Sequence, residues 1–212
     1  MWNLPNTITI IRIAMTPVIA LLPFIEGYWP KFLAFIIFAL TALTDLVDGY
    51  LARSRGEVTD LGKLLDPVAD KLLLIAALVP IYWIARERQD LYGIPFWGSI
   101  PLWVCFLLLG RELAMTVFRR FAQKRGVIIA AGSAGKLKTT IQNIFIGAIL
   151  AWFAFRDAAR SFGWQDRPLG RLWTEFHGGF VAVTLALAAV LTVYSFVIYL
   201  FRYRSVFSTP SR

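Results

Sequence analysis

The sequence predicts an all-α polytopic membrane protein, with six transmembrane helices packed as one bundle and a single domain over 1–212. Three observations predict it. Of the 212 residues, 58% are hydrophobic and only 17% charged, with a mean hydropathy of +0.64, more apolar surface than one soluble core of this length takes in. Apolar runs of the roughly 20 residues that cross a bilayer recur between short charged stretches. No low-complexity segment, linker or internal repeat interrupts their succession.

The first span is expected at 7–24. The chain opens MWNLPNTITIIRIAM, with its first Arg inside the apolar run and not in a basic leader, so this span should be retained. The second (31–51) and third (65–85) are joined by a short connection and therefore lie antiparallel. The fourth (96–119) carries Arg111, the fifth covers 138–155 and the sixth 178–201. Six crossings put both termini on one side. Lys and Arg number 13 on the side of the second connection and 7 on the other, with Arg12 and Arg111 set aside as lying within spans. The positive-inside rule turns the 13 toward the cytoplasm. The net charge of +9 suits contact with anionic lipid head groups, and no nucleic-acid partner is expected. The single Cys105 excludes an internal disulfide and argues against a thiolate metal cluster. The stretch RDAARSFGWQDRPLGRLWTEF, 156–176, suits an amphipathic segment on the outer surface. His177 reads as an ordinary interfacial residue on that far side.

The chemistry is concentrated in TDLVDGYLARSRGEVTDLGKLLDPVADK, 44–71, where five Asp and one Glu stand between two apolar runs. Asp45 and Asp48 are three apart at the end of the second span, and Asp66 and Asp70 four apart at the start of the third. Each pair therefore shares a helical face, and antiparallel packing lets the four carboxylates converge as they do in metal-binding bundles. Intramembrane carboxylates are costly and functional by default; a cluster of them needs a cation or protons. With oxygen ligands alone and neither His nor Cys nearby, the cation should be hard, Mg²⁺ or Mn²⁺. Four carboxylates suffice for two ions, which together polarise a phosphoryl group. Gly49 and Ala52 keep the flank beside Asp48 low for a phosphorylated ligand. Gly62 suits the turn into the third span, and Arg53 and Lys63 are placed to neutralise a diphosphate. Glu57 and Asp60 read as solvated loop charges.

Written as a pattern, Asp45 to Asp70 is D-x2-D-G-x2-A-R-x8-G-x3-D-x3-D, similar at all eight fixed positions to the signature of the CDP-alcohol phosphotransferase family. The resemblance implies a six-helix enzyme of the bacterial cytoplasmic membrane, homodimeric, that displaces CMP from a CDP-linked lipid with an alcohol, using two divalent ions. It implies Asp45, Asp48, Asp66 and Asp70 as metal ligands and Asp70 also as the base. It places Gly49, Ala52, Arg53 and Gly62 on the CDP-lipid side. Independently, a hydroxyl attacking phosphorus needs a proton acceptor within hydrogen-bond reach, and a carboxylate is the only candidate type in the stretch.

The acceptor is read from a second, basic cluster. GRELAMTVFRRFAQKRG sets Arg111 and Arg119 eight residues apart, nearly on one face, and AAGSAGKLKTTIQ adds Lys136 and Lys138. Arg111 within an apolar run should line a cavity, with Glu112 pairing with it or with a Lys; these cations make a pocket for a doubly charged phosphate. Arg120, Lys124 and Arg125 read as head-group contacts, a reading open to Arg119 as well. The glycines before Lys136 are no P-loop, because position 130 is Ala and Leu137 replaces the Ser or Thr. NLPNTITIIRI, GREL and GKLKTTIQ resemble, from the amino terminus to about Gln142, the branch of the family whose acceptor is sn-glycerol 3-phosphate. That resemblance implies Arg111, Arg119, Lys136 and Lys138 at the acceptor phosphate and Asn6 and Thr9 near the nucleotide, although an Asn before a Thr is also a common helix start. The expected reaction converts CDP-diacylglycerol and sn-glycerol 3-phosphate into phosphatidylglycerophosphate and CMP, among membrane lipids. Rival readings are another acceptor within the family, phosphatidylglycerol first, and a divalent-cation transporter, for which intramembrane Asp residues are equally natural.

Overall fold

The computed structural model describes residues 4–55, 59–127, 129 and 132–204, without the side chains of 4, 5, 46–55, 60, 61 and 63. The described chain is helical throughout: α1 (Leu4–Leu21), continued by a 3₁₀ turn at Leu22–Phe24, then α2 (Tyr28–Arg55), α3 (Asp60–Glu87), the single turn α4 (Gln89–Tyr92), α5 (Leu102–Lys124), α6 (Ser133–Ser161) and α7 (Pro168–Arg202). The six expected spans fall in α1, α2, α3, α5, α6 and α7. Five of these, all but α5, are long and apolar enough to cross a membrane. Within its 23 residues, α5 carries Arg111, Glu112, Arg119, Arg120 and Lys124, which lower its hydropathy.

Two boundaries differ from expectation for local reasons. The fourth span begins at Leu102 and not at 96, because GIPFWGSIP folds into a tight turn. Ile94 and Gly98 exchange backbone hydrogen bonds of 2.8 Å, Phe96 and Gly98 take φ of 68° and 64°, and Pro101 caps the helix. The 156–176 stretch is no separate surface segment. Its first part completes α6, its last part opens α7, and Pro168, in the first turn of α7, starts that helix.

Helix α1 lies against α2 and α3, α6 against α2 and α7, and α5 against α7 and α3. The apolar core joins Phe38, Leu78, Ile81, Leu108, Phe145, Ile149, Phe153 and Leu185. Outward, Leu40, Phe106, Val117, Leu187 and Val190 are exposed, as a lipid-facing surface requires and a soluble one does not tolerate. Trp29, Trp83, Trp103, Trp164 and Trp173 are partly or largely exposed. They sit at the start of α2, the end of α3, the start of α5, just after α6 and the start of α7, all at one end of the bundle. That is the interfacial aromatic belt, and the end of α2 and the start of α3 lie at the opposite end.

The belt end is tied by a buried polar group. Lys31, expected as a connection charge, lies in the first turn of α2 and is buried. It donates to Asp157 of α6 at 2.7 Å and to the Ile25 carbonyl at 3.0 Å. The Tyr92 hydroxyl donates to the other oxygen of Asp157; burial and this bond push the Tyr92 phenol above its ordinary range, so it stays a donor. Removing one partner of a buried pair leaves the other charge uncompensated. Lys31→Met is therefore expected to cost about 3 kcal/mol or more in thermal unfolding, while turnover of the folded variant at the far end stays near normal.

Candidate active site

Helix α1 buries a polar stripe. Asn6, Thr9, Arg12 and Thr16 are all buried, at the three- and four-residue spacing of one helical face. The stripe meets the start of α3 and the end of α2. The Thr59 hydroxyl donates to Asn6 Oδ1 at 3.0 Å while accepting the Gly62 amide at 3.0 Å as the N-cap of α3. Thr9 donates to Asp66 Oδ1 at 3.1 Å. Arg12 donates through one terminal nitrogen to Asp45 at 2.5 Å and reaches Asp70 at 3.4 Å. Asn6 lies inside α1 and so does not start a helix. Gly62 lies inside α3, not in the turn before it. A Cβ there would come within 2.8 Å of Asn6 Oδ1 and 3.2 Å of Thr59 Oγ1, so Gly62→Ala is expected to cost about 1–3 kcal/mol in thermal unfolding.

Asp45 and Asp70 are partly open to the cavity, with side chains 34% and 58% exposed, whereas the Arg12 side chain is fully buried. The side chains of Asp48, Ala52, Arg53, Asp60 and Lys63, the surroundings of Gly49, and all of Glu57 lie outside the described residues. Among the described residues no three acidic, His or Cys side chains stand close enough to hold a metal ion by themselves. The donor chemistry nonetheless fits a hard divalent ion. Asp45 and Asp70 belong to different helices yet already share one cation, the Arg12 guanidinium, and both offer oxygen alone.

One cavity joins this cluster to the basic one. Asp45, Asp70, Lys71, Glu112, Lys138 and Gln142 line it over an apolar floor that includes Phe38, Leu73 and Ile146. Glu112 Oε1 accepts from Arg111 at 2.9 Å and from Lys138 at 2.5 Å, and Arg111 also donates to Ser195 of α7 at 3.2 Å. Arg111 and Lys138 are buried; Lys138 lines the cavity, whereas Arg111, expected there, lies behind Glu112 and is not among the lining residues. Arg119 and Lys136 are exposed and are not among the cavity-lining residues. Helix geometry explains both. Eight residues carry Arg119 about 80° past Arg111, leaving Phe118 in the buried stripe. Two residues put Lys136 about 200° from Lys138, on the opposite side of α6. The glycines before Lys136 pack against α7: the Gly132 amide donates to the Tyr199 hydroxyl at 2.5 Å, and a Cβ at Gly132 or Gly135 would lie 3.2 Å from it. His177 points into the bundle rather than outward. It is buried, 3.0 Å from the Ala148 carbonyl and edge-on to Trp152 and Trp173.

A sequence model of CDP-alcohol phosphatidyltransferases matches residues 2–194, from the polar stripe of α1 into the last turns of α7. The chain belongs to the CDP-alcohol phosphatidyltransferase family. Within it, the chain is 40% identical over 148 residues to a probable phosphatidylglycerophosphate synthase of Mycobacterium tuberculosis (strain CDC 1551 / Oshkosh), the match covering 68% of this chain and 64% of the relative. That is just under two thirds of the relative's length. It is 35% identical over 162 residues to the CDP-diacylglycerol–glycerol-3-phosphate 3-phosphatidyltransferase of Bacillus subtilis (strain 168), covering 71% and 77% of the two chains. It is 30% identical over 201 residues to the protein of that same name in Escherichia coli (strain K12), covering 94% and 93%.

In this CDP-alcohol phosphatidyltransferase, two residues of the site escape sequence reasoning. Arg12 was set aside as a charge within a span, though the cost that draws Arg111 into a cavity applies to it equally. Gln142 follows Lys138 by one helical turn, lines the cavity and keeps a buried Oε1 with no protein partner; a glutamine at the end of a lysine-rich turn carries no sequence signal of its own.

Proposed function

We propose that this chain, acting as a single unit, transfers the phosphatidyl group of CDP-diacylglycerol to sn-glycerol 3-phosphate, giving phosphatidylglycerophosphate and CMP. The observation that carries the proposal is the shared cavity: Asp45 and Asp70, carboxylates suited to a diphosphate-bound cation, and Lys138, suited to an acceptor phosphate, line one space. The names of the relatives from B. subtilis and E. coli support the same reaction.

In the proposed mechanism Asp70 accepts the proton of the acceptor hydroxyl. The hydroxyl oxygen forms its bond to the phosphorus that bears diacylglycerol, and the bond from that phosphorus to the CMP oxygen breaks. Lys138 and Arg111 turn from Glu112 to the acceptor phosphate and orient the hydroxyl, which is the larger part of what a positioned substrate gains. Arg119 and Lys136 act, if at all, from outside this cavity. Asn6 and Thr9 hold Thr59 and Asp66 in place beside the nucleotide, and Gly49, Ala52, Arg53 and Gly62 flank it. Two divalent ions, Mg²⁺ or Mn²⁺, held by Asp45, Asp48, Asp66 and Asp70, would supply Lewis-acid polarisation of the diphosphate. The enzyme is proposed to be a homodimer with this end of the bundle in the cytoplasm, an orientation supported by the Lys and Arg excess there.

The test is CMP release from CDP-diacylglycerol and glycerol 3-phosphate by the purified protein in detergent, before and after EDTA. The proposal expects release that EDTA abolishes and added Mg²⁺ or Mn²⁺ restores. Release that EDTA leaves untouched would remove the metal from the mechanism.

A further inference from the structure

Arg12 stands between two carboxylates of the acid cluster. Its side chain is fully buried, and one of its terminal nitrogens contacts a carboxylate oxygen on each of two helices, Asp45 of α2 and Asp70 of α3. A guanidinium and a divalent ion compete for those carboxylates: Arg12 takes Oδ1 of each, and two cations at that separation repel. Nor can Arg12 retreat to water, because the α1 stripe that carries it is packed against the starts and ends of its neighbours. A buried guanidinium leaves a carboxylate only for another anion, and its planar fork matches phosphate oxygens as well as carboxylate ones.

We propose that Arg12 is a displaceable internal cation: it holds Asp45 and Asp70 together in the metal-free enzyme, competes with divalent ions for their oxygens, and turns to the diphosphate when the CDP-lipid binds. The inference rests on the reading of the acid cluster as a metal site. It assigns Arg12 a positioning role and makes the nucleotide and the metal mutually dependent, since a ligand that draws Arg12 away raises metal affinity, and by linkage the metal raises nucleotide affinity equally.

The experiment measures free Mn²⁺ by electron paramagnetic resonance in titrations of the full chain in detergent, with and without cytidine 5′-diphosphate. It compares wild type, Arg12→Gln and Arg12→Lys, each checked for a cooperative thermal transition. Arg12→Gln keeps a hydrogen-bonding group without the charge and is expected to bind Mn²⁺ at least about tenfold more tightly than wild type in the absence of nucleotide, the scale of one charge-assisted hydrogen bond. Adding cytidine 5′-diphosphate should bring wild type toward the variant and change the variant less. Arg12→Lys keeps the charge on a shorter side chain that reaches the two carboxylates less well, and should fall between them; it carries the test alone if Arg12→Gln does not fold. Equal or weaker Mn²⁺ binding by folded variants, with wild type binding normally, would make Arg12 a fixed structural pair and overturn the inference while the metal site stands. Absence of Mn²⁺ binding in every protein, nucleotide present or not, would overturn the metal reading and this inference with it.

Discussion

Asp70→Asn is expected to lower CMP release by at least about 10³-fold, toward the upper range for loss of a general base, while the protein stays folded. The amide has nearly the shape of the carboxylate but neither accepts a proton nor bears the charge a divalent ion needs. The fold should survive because the Asp70 side chain is 58% exposed into the cavity and is approached at 3.4 Å by Arg12, which Asp45 also holds at 2.5 Å. The check is a rate assay beside a thermal unfolding curve. A folded variant with near-normal turnover would mean that Asp70 is not the base.

The second large effect separates two cations that the sequence treats alike. Lys138→Met should raise the KM for glycerol 3-phosphate by roughly 30-fold or more, the loss of about 2 kcal/mol for a buried charge-assisted contact, and leave the KM for CDP-diacylglycerol within about twofold. Arg119→Met should change both by less than about twofold, as an exposed charge does. Lys138 is 1% exposed and meets Glu112 at 2.5 Å; Arg119 is exposed on the far side of Phe118. Equal defects in the two variants would return Arg119 to the acceptor pocket.

The long helices were legible because their apolar runs and the charged stretches between them are dictated by the bilayer itself. Where the chain turns, local chemistry overrode hydropathy: the apolar letters of GIPFWGSIP belong to a turn built on Pro95, Gly98 and Pro101, and the charges of 156–176 decorate two helix ends. Spacing and antiparallel packing point to convergence of Asp45, Asp48, Asp66 and Asp70, and of these Asp45 and Asp70 meet at Arg12. Arg12 itself was not legible, because the charge count that orients a membrane protein discards residues inside spans, and that step hid the cation the carboxylates share. For Lys136 and Arg119 the limit was angular. Proximity in sequence is not proximity on a face: two or eight residues along a helix do not return to the same side. Lys31 shows the same in reverse, a residue near a connection that turns inward to a carboxylate 126 positions away.

The central claim is that one cavity brings a CDP-lipid and a phosphorylated alcohol together. The most direct test offers the purified protein CDP-diacylglycerol and Mg²⁺ with glycerol 3-phosphate, phosphatidylglycerol, serine or inositol phosphate, one at a time, and follows CMP release. Release with glycerol 3-phosphate alone is expected. Release with phosphatidylglycerol and not with glycerol 3-phosphate would contradict the acceptor assignment, and no release with any of the four would contradict the reaction.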